Sequence, residues 1–266
     1  MIRARNLGRV YATVSGEAVR ALDGVDLEIG EGEFVCLVGP SGCGKSTFLR
    51  IAAGLDAATS GELTLAGKRV AGPWSEVGVV FQSANLLPWF TVLGNVTLPL
   101  RVGGSHLNGA GEARAKNLLD MAGIAEFGNK YPYELSGGMQ QRAAIVRALA
   151  RDPKVLLMDE PFGALDAMTR DRLNVELLRI WKASGKTVLL ITHSISEAVF
   201  LADRVAVFSA RPGTIKEVIS VDESHPRNPH FVTTEKFAKL RNTLYGLLHD
   251  EIRKAVEQSA VVGPAP

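Results

Sequence analysis

The chain has 266 residues, 46% of them hydrophobic and 22% charged, with a formal net charge of +2. This length can form one large domain or one domain with an inserted subdomain, and the composition is that of an ordinary soluble globular protein. A net charge this small, without a basic cluster interleaved with aromatic residues, does not indicate a nucleic-acid footprint, so no nucleic-acid partner is expected.

The cysteines and the N-terminus bear on the cellular compartment. The two cysteines, Cys36 and Cys43, cannot form a disulfide framework and do not have metal-ligand spacing. Residues 1–6 lack the apolar stretch of a signal peptide, and no segment approaches about 18 uninterrupted apolar residues. We therefore expect a cytoplasmic protein whose membrane role, if it has one, comes through a partner.

The N-terminal part is predicted to form strands. Residues 3–38 contain short apolar runs separated by turns, and residues 25–29 alternate between apolar and polar side chains. The alternation predicts a half-exposed antiparallel sheet. Residues 34–38 are apolar throughout, which predicts a buried strand.

A glycine-rich turn follows this buried strand and leads into a helical stretch. It matches the phosphate-loop pattern G-x-x-x-x-G-K-[ST] at Gly39, Gly44, Lys45 and Ser46. Glycines let backbone N–H groups turn inward, and a helix N-terminus favours an anion at the same point. The pattern predicts nucleoside triphosphate binding, with Lys45 reaching the β- and γ-phosphates and the Ser46 hydroxyl binding Mg²⁺. The predicted phosphate-binding residues are Gly39, Pro40, Ser41, Gly42, Cys43, Gly44, Lys45, Ser46 and Thr47.

Residues 83–151 predict a helical subdomain inserted between strands of an α/β core. Before it, residues 61–70 predict a hairpin and residues 78–81 a buried strand that ends at Gln82. The apolar cluster at residues 86–90 is either core packing or an exposed surface for a partner. The predicted helices and loop are Thr91 to about Leu98, a loop at residues 103–105, about Glu112 to Ala122, and a helix from Gly137 onward.

The core resumes after this insertion with apolar runs separated by a helix, a pattern typical of a parallel sheet covered on both faces. The predicted elements are a strand at residues 155–160, a helix at 168–182, a strand at 187–192 and a hairpin of 204–208 with 214–218. The fold class is therefore α/β, with a phosphate-loop core, a mainly parallel sheet, an N-terminal antiparallel β subdomain and the inserted α-helical subdomain.

A C-terminal extension is predicted over residues 221–266, after an ATPase domain of residues 1–220. It begins with a proline-bearing loop and continues as one amphipathic helix that ends in a frayed tail at residues 261–266. The apolar stripe of this helix either docks on its own domain or forms a dimer contact. The stripe contains Phe237, Leu240, Leu244, Leu247, Leu248 and Ile252.

Two acids end the apolar run at residues 155–160. Asp159 and Glu160 fall at the carboxyl edge of the predicted sheet, beside the phosphate loop. Because adjacent residues of a strand point to opposite faces, we expect the two side chains to have different roles. Asp159 suits the Mg²⁺ shell, and Glu160 suits orientation or deprotonation of a water.

A second anion-binding pattern occurs at Ser136, Gly137 and Gly138, which open a helix with a hydroxyl and free N–H groups. The first loop already surrounds the phosphates of one nucleotide, so this site would most simply serve a nucleotide held by another polypeptide. The alternative is a plain helix cap. His193 ends a strand at the predicted phosphate edge, and Tyr11 precedes the loop. A structural role for His193 and packing of Tyr11 within a strand remain alternatives.

The order of these motifs resembles that of the ATP-binding subunit of an ABC transporter, over roughly residues 1 to 220. The likeness rests on residues 39–47, Gln82, residues 135–140, residues 159–166 and His193. It implies a homodimer that sandwiches ATP and Mg²⁺ and drives transmembrane permease subunits from the cytoplasmic face of the membrane. An extracytoplasmic solute-binding protein is implied as an indirect partner.

The resemblance also implies roles for particular residues. Gln82 would link Mg²⁺ and the attacking water to the helical subdomain, and Glu160 would be the catalytic carboxylate. His193 would donate a hydrogen bond to the γ-phosphate, and Asp166 would make a contact across the dimer. Tyr11 would stack on adenine. Ser136, Gly137 and Gly138 would form the signature that contacts the partner's ATP.

The sequence departs from the family pattern at Met139, where glutamine is frequent, and at Ser194, where aspartate is common. These positions affect details of the dimer interface. Residues 86–89, Met139 and residues 209–213 further resemble importer ATPases of the nitrate, sulfonate and taurine group. The implied function is ATP-driven uptake of a small solute, such as one of these anions.

Three alternative functions share some of these motifs. A soluble ABC-type ATPase of DNA repair or translation usually carries coiled-coil insertions, tandem halves or basic arms, and none is evident in the sequence. A phosphate-loop kinase would have no use for residues 136–138. An exporter subunit would share every motif, and only the permease distinguishes it.

Overall fold

The computed structural model describes residues 1–12, 16, 18–102 and 109–261. The loop predicted at residues 103–105 and all but the first residue of the predicted frayed tail lie outside these ranges. The chain divides into two compact units, one of Met1–Trp74 with Leu189–Pro266 and the other of Ser75–Val188. The predicted helical subdomain, residues 83–151, falls within the second unit together with further strands and a helix.

The strands, in chain order, are β1 (Ile2–Ala12), β2 (Ala18–Ile29), β3 (Phe34–Val38), β4 (Ser60–Leu65), β5 (Lys68–Arg69), β6 (Val77–Val80), β7 (Val155–Asp159), β8 (Thr187–Ile191), β9 (Arg204–Phe208) and β10 (Ile215–Ser220). The α-helices are α1 (Lys45–Ala52), α2 (Val92–Val102), α3 (Gly109–Met121), α4 (Gly137–Leu149), α5 (Ala167–Ser184), α6 (Ile195–Leu201) and α7 (Glu235–Val261). Short 3₁₀ helices span Ala125–Phe127, Pro132–Glu134 and Pro229–Thr233.

The first unit contains an antiparallel sheet in the order β2-β1-β4-β5. Residues 25–29 of β2 alternate between buried and exposed, as their sequence predicts. The strands β1 and β2 are longer than the short runs expected, because register shifts within their pairing let them continue past irregular positions. The predicted antiparallel β subdomain is therefore present.

The core strands of the first unit run in the order β10-β9-β3-β8. β3 pairs in parallel with β9, and β9 pairs with β10 as the predicted antiparallel hairpin. Every residue of β3 and β8 is buried, which explains why their sequences are apolar throughout. The backbone N–H of Thr192 donates to the Leu37 carbonyl at 3.2 Å, so β3 and β8 end at the same edge of the sheet.

The second unit contains the parallel pair β6 and β7, with Val77 opposite Val155 and Val80 opposite Met158. Helices α2 to α5 belong to the same unit. Helix α3 is followed by Gly123 at a positive φ of 65°, which agrees with the predicted stop. Helix α5 begins at Ala167 after its N-cap Asp166, one residue before the predicted start.

The C-terminal segment is attached to the first unit through a buried arginine. The Arg227 guanidinium donates to the carbonyls of Val199, Phe200 and Ala202 at 2.7–2.8 Å, around the C-terminal end of α6. Burial lowers the pKa of Arg227 to about 10, so the group stays charged at neutral pH. Helix α7 then buries Phe237, the first residue of its predicted stripe.

The stripe of α7 docks on its own unit for most of its length. Phe237, Leu244 and Leu248 are buried, and α7 contacts α6 and β9. Ile252, the last residue of the predicted stripe, is 50% exposed, so docking on its own unit does not extend to this position. Its side chain lines a cavity of the first unit.

Replacing Arg227 with methionine is expected to lower the free energy of unfolding by about 3 kcal/mol, because the carbonyls around the end of α6 lose their donor. The melting temperature should fall by roughly 6 to 12 °C. Arg241→Met, an exposed change on α7, is the matched control and should melt like the wild type. Equal melting of all three proteins would show that Arg227 does not hold this segment.

Candidate functional site

The phosphate loop begins where β3 ends and enters α1 at Gly44, the N-cap of that helix. Gly42 and Gly44 have φ values of +72° and +108°, which other residues rarely adopt. A Cβ built on Gly44 would lie 2.6 Å from the Ala21 carbonyl oxygen, and one built on Gly39 would lie 2.9 Å from the Phe208 Cβ. The pattern therefore requires glycine here both for backbone conformation and for close packing.

Lys45 is buried inside this loop. Its Nζ donates to the carbonyls of Gly39 and Pro40 at 2.8 Å and lies 3.6 Å from the Cys43 Sγ. Burial raises the pKa of the Cys43 thiol, and the nearby Lys45 charge opposes that shift only in part. The thiol is 1% exposed, which agrees with its interpretation as a small residue that fits the loop.

His193 lies with the phosphate loop at one cavity of about 590 Å³ in the first unit. The cavity is lined by Gly39, Pro40, Ser41 and His193 on one side and by α7 on the other. The structure therefore brings His193 and the loop together, as expected of a residue that follows a strand beside β3. The residues contributed by α7 include Tyr245, Leu248, His249, Ile252, Ala255 and Val256.

Tyr11 lies near the end of β1, opposite Val19 of β2. Val19 lies two residues, about 7 Å along the strand, from Ala21, whose carbonyl oxygen would lie 2.6 Å from a Cβ at Gly44 of the loop. The Arg9 guanidinium lies 4.4 Å from the centre of the Tyr11 ring, and the Tyr11 hydroxyl is 3.1 Å from the Asp56 carboxylate. These contacts fix the orientation of the ring.

The two acids of the second unit differ in backbone conformation. Asp159 is the last residue of β7, whereas Glu160 lies beyond the strand with a φ of +45°. The expectation that both lie on the strand and point to opposite faces is therefore wrong for Glu160. The physical reason is a tight turn, in which the Gly163 N–H donates to the Glu160 carbonyl at 3.0 Å.

Gln82 and Glu160 come together in the second unit. In the parallel strands β6 and β7, Val80 lies opposite Met158. Gln82 and Glu160 each come two residues after this pair, so they lie at the same level of the sheet edge. A Cβ built on Gly163 would lie 3.3 Å from Gln82 Nε2 and 3.4 Å from Glu160 Oε2. An amide and a carboxylate thus share the space beside Gly163, and a larger residue there would disturb both.

The starts of helices α4 and α5 are also neighbours. Ser136 caps α4 by accepting from the Met139 N–H at 3.4 Å, and a Cβ on Gly138 would lie 3.2 Å from the Thr169 side chain on α5. Asp166 caps α5 by accepting from the Thr169 N–H at 3.0 Å, and this hydrogen bond lowers the pKa of Asp166. Both capping side chains are exposed, so the two helix ends form one surface with N–H dipoles.

One contact of the phosphate loop was not anticipated from the sequence. The Arg211 guanidinium donates from Nε and Nη2 to the Gly42 carbonyl at 3.2 and 3.0 Å. A signal for it existed, because β9 is parallel to β3, and the residues that follow the two strands must meet at one edge of the sheet. From the sequence, residues 211–213 were expected at the tip of a hairpin, and residues 209–213 carried part of the resemblance to the importer group.

The residues available for a metal are oxygen donors. Among the residues that the structure describes, no group of three or more His, Cys, Asp or Glu side chains could hold an ion. Mg²⁺ is usually held by one or two carboxylates together with substrate phosphates and water. The Ser46 hydroxyl, the Gln82 amide and the Asp159 carboxylate have the required chemistry.

The fold and the loop between β3 and α1 define a phosphate-loop nucleotide-binding protein. The family model described as ABC transporter matches residues 22–163. The chain belongs to the ABC transporter family and is an ABC-type ATPase.

Two relatives and one solved structure illustrate the likeness. The nitrate import ATP-binding protein NrtD of Synechocystis sp. is 48% identical and covers 84% of this chain and 85% of its own length. The taurine import ATP-binding protein TauB of Jannaschia sp. is 43% identical, covering 96% of this chain and 98% of its own. The dimeric post-hydrolysis structure of the ATP-binding cassette MJ0796 bound to ADP and Pi is 36% identical. It has a TM-score of 0.73 and covers 84% of this chain and 100% of its own.

Proposed function

We propose that this ATPase energises uptake of a small solute, an anion such as nitrate, a sulfonate or taurine, through a partner permease. The observation that carries the proposal is the pairing of Gln82 with Glu160 at the ends of two parallel strands, in a chain whose relatives are named for nitrate and taurine import. An amide placed beside the catalytic carboxylate would give hydrolysis a route to the helices of the second unit.

Residues 39–47 would bind the phosphates of ATP through backbone N–H groups and the N-terminus of α1. Lys45 would exchange its contacts with the Gly39 and Pro40 carbonyls for the β- and γ-phosphates. Tyr11 would stack on adenine with the ring face that Arg9 does not cover.

Ser46, Gln82 and Asp159 would hold Mg²⁺, which when bound neutralises charge on the β- and γ-phosphates. Glu160 would accept a proton from the attacking water or orient it, and Gln82 beside it would fix the water's position. His193, which lines the same cavity as Gly39, would donate a hydrogen bond to the γ-phosphate.

A second subunit, identical in the simplest case, would complete each site. Ser136, Gly137 and Gly138 of one subunit would face the ATP held by its partner's phosphate loop, and Asp166 would contact the partner. The exposed ends of α4 and α5 suit this role because they offer N–H groups and a capping hydroxyl to an anion. The solved relative cited above is dimeric.

The permease would be contacted through the segment that follows Gln82. Trp89 is 68% exposed, yet its loop is fixed, because the Asn95 side chain bonds the backbone of Leu87 and Phe90 and Arg147 bonds the Ala84 and Asn85 carbonyls. A rigid, exposed aromatic residue is typical of a protein interface.

No helix within the described ranges is long and apolar enough to span a membrane. Through the permease the protein would be peripheral, at the cytoplasmic face of the membrane, with a solute-binding protein as an indirect partner.

The test is purification of the tagged protein from detergent-solubilised membranes of its own host, with mass spectrometry of what stays bound. We expect a permease and an extracytoplasmic binding protein, and several-fold less permease with Trp89→Ala. Val232→Ala, an exposed apolar change in the other unit, should retain the permease. Recovery of only soluble or nucleic-acid-bound proteins would exclude transport and leave the ATPase activity intact.

A further inference from the structure

The phosphate loop is held from outside by the connection between β9 and β10, residues 209–214. Arg211 donates twice to the Gly42 carbonyl. In a trans peptide the carbonyl and the next N–H point in opposite directions. Arg211 therefore orients the Gly42–Cys43 peptide so that the Cys43 N–H faces the inside of the loop, where it lies 3.4 Å from the Pro40 carbonyl.

Gly213 in the same connection has no room for a side chain. A Cβ there would collide with the Cys43 carbonyl oxygen and would lie 3.2 Å from the Phe208 ring. The Gly213 N–H donates to the Ala21 carbonyl at 2.9 Å, and its carbonyl accepts from the Asp23 N–H at 3.1 Å. The connection is thus fixed to β2 as well as to the phosphate loop.

The other side of the connection is held by α7 through one buried carboxylate. Glu251 is 2% exposed and accepts from the Ala210 N–H at 2.9 Å. Its second oxygen accepts from Lys216 and Lys254, each at 2.8 Å. Burial alone would raise the pKa of Glu251, but these hydrogen bonds outweigh it and lower the pKa to about 2, so the carboxylate is charged at neutral pH.

These contacts form a continuous path from the C-terminal helix to the phosphate loop: Glu251 to Ala210, then Arg211 to Gly42. We propose that Glu251 is a positioning residue, and that docking of α7 through it sets the geometry of the phosphate loop and hence the affinity for nucleotide. Glu251 acts through Arg211 and does not touch the substrate. The inference rests on the phosphate-binding role proposed for residues 39–47.

The experiment compares wild type, Glu251→Gln, Arg211→Ala and the double variant by ATP affinity, kcat and melting temperature. Glutamine has the same shape as glutamate, but its NH₂ group donates instead of accepting. In either orientation this group faces another donor, the Ala210 N–H or the ammonium groups of Lys216 and Lys254, so at least one of the hydrogen bonds is lost. We expect each single variant to raise the Kd for ATP about 5- to 10-fold with kcat within twofold of wild type. Because both substitutions interrupt one path, their effects should not multiply. The double variant should bind ATP about as tightly as the single variant that has the lower affinity.

Glu257→Gln, an exposed carboxylate change on the same helix, is the matched control and should bind ATP like the wild type. Arg211 is exposed, so Arg211→Ala tests the path even where Glu251→Gln melts at a low temperature. ATP affinities within twofold of wild type for folded Arg211→Ala would overturn the proposal, as would multiplied effects in the double variant. Failure of the phosphate-loop role itself is distinguishable, because wild type and Lys45→Ala would then bind ATP equally.

Discussion

Replacing Glu160 with glutamine is expected to reduce steady-state ATP turnover at least about 100-fold, the usual contribution of a general base. The amide has the same shape and tolerates the same backbone conformation, so the turn to Gly163 should persist. What it lacks is the ability to accept a proton from water. ATP affinity, measured by equilibrium binding, should stay within about twofold of wild type, since the loss falls on the chemical step.

Glu126→Gln is the matched control for this experiment. Glu126 is an exposed carboxylate in the same unit, on the 3₁₀ helix Ala125–Phe127. Its replacement changes the net charge equally and should leave phosphate release unchanged. If the Glu160 variant hydrolyses ATP at a rate near wild type, the assignment of the catalytic carboxylate is wrong, and Asp159 becomes the next residue to test.

Mixing two inactive variants is expected to restore activity if each site is shared between subunits. Lys45→Ala removes the cation of the phosphate loop, and Ser136→Arg places a bulky side chain at the exposed start of α4. Each pure dimer has two defective sites. Random exchange in a symmetric dimer yields half mixed dimers with one intact site, so about one quarter of wild-type sites return. Turnover of the mixture should rise several-fold above that of either variant.

The control for this mixing experiment uses two defects in the same part of the site. Lys45→Ala mixed with Gly44→Ala leaves no dimer with an intact phosphate loop, because a Cβ at Gly44 meets the Ala21 carbonyl. No turnover should return in that mixture. If Lys45→Ala and Ser136→Arg also fail to complement at concentrations where the wild type is dimeric, residues 136–138 do not serve the partner's ATP.

The elements that carry local signals were predictable from sequence. The apolar run of β3, the glycine spacing and Lys45 identify a phosphate loop without knowledge of any distant contact. The hairpin of β4 and β5 was likewise local. His193 was expected at the phosphate edge only because parallel strands end at one edge of the sheet, and the cavity confirms its proximity to Gly39.

What escaped prediction depends on contacts between distant parts of the chain. Arg211 and Gly42 are 169 positions apart, and neither residue type predicts a contact with the other. Arg227 bonds backbone carbonyls, which every residue possesses, so no sequence pattern marks its partners. The backbone conformation of Glu160 follows from the tight turn to Gly163. The alternation of side chains along a strand does not predict the residue at which the strand ends.

The left-handed backbone at Glu160 has a consequence for the evolution and engineering of this chain. A residue with a side chain costs about 1 to 2 kcal/mol in this conformation, whereas glycine adopts it freely. The position proposed to carry the chemistry is therefore one where the fold itself favours a different amino acid. Selection for thermal stability alone would favour glycine at this position, and the carboxylate would be lost. A thermostabilised variant must therefore be selected for ATP turnover at the same time.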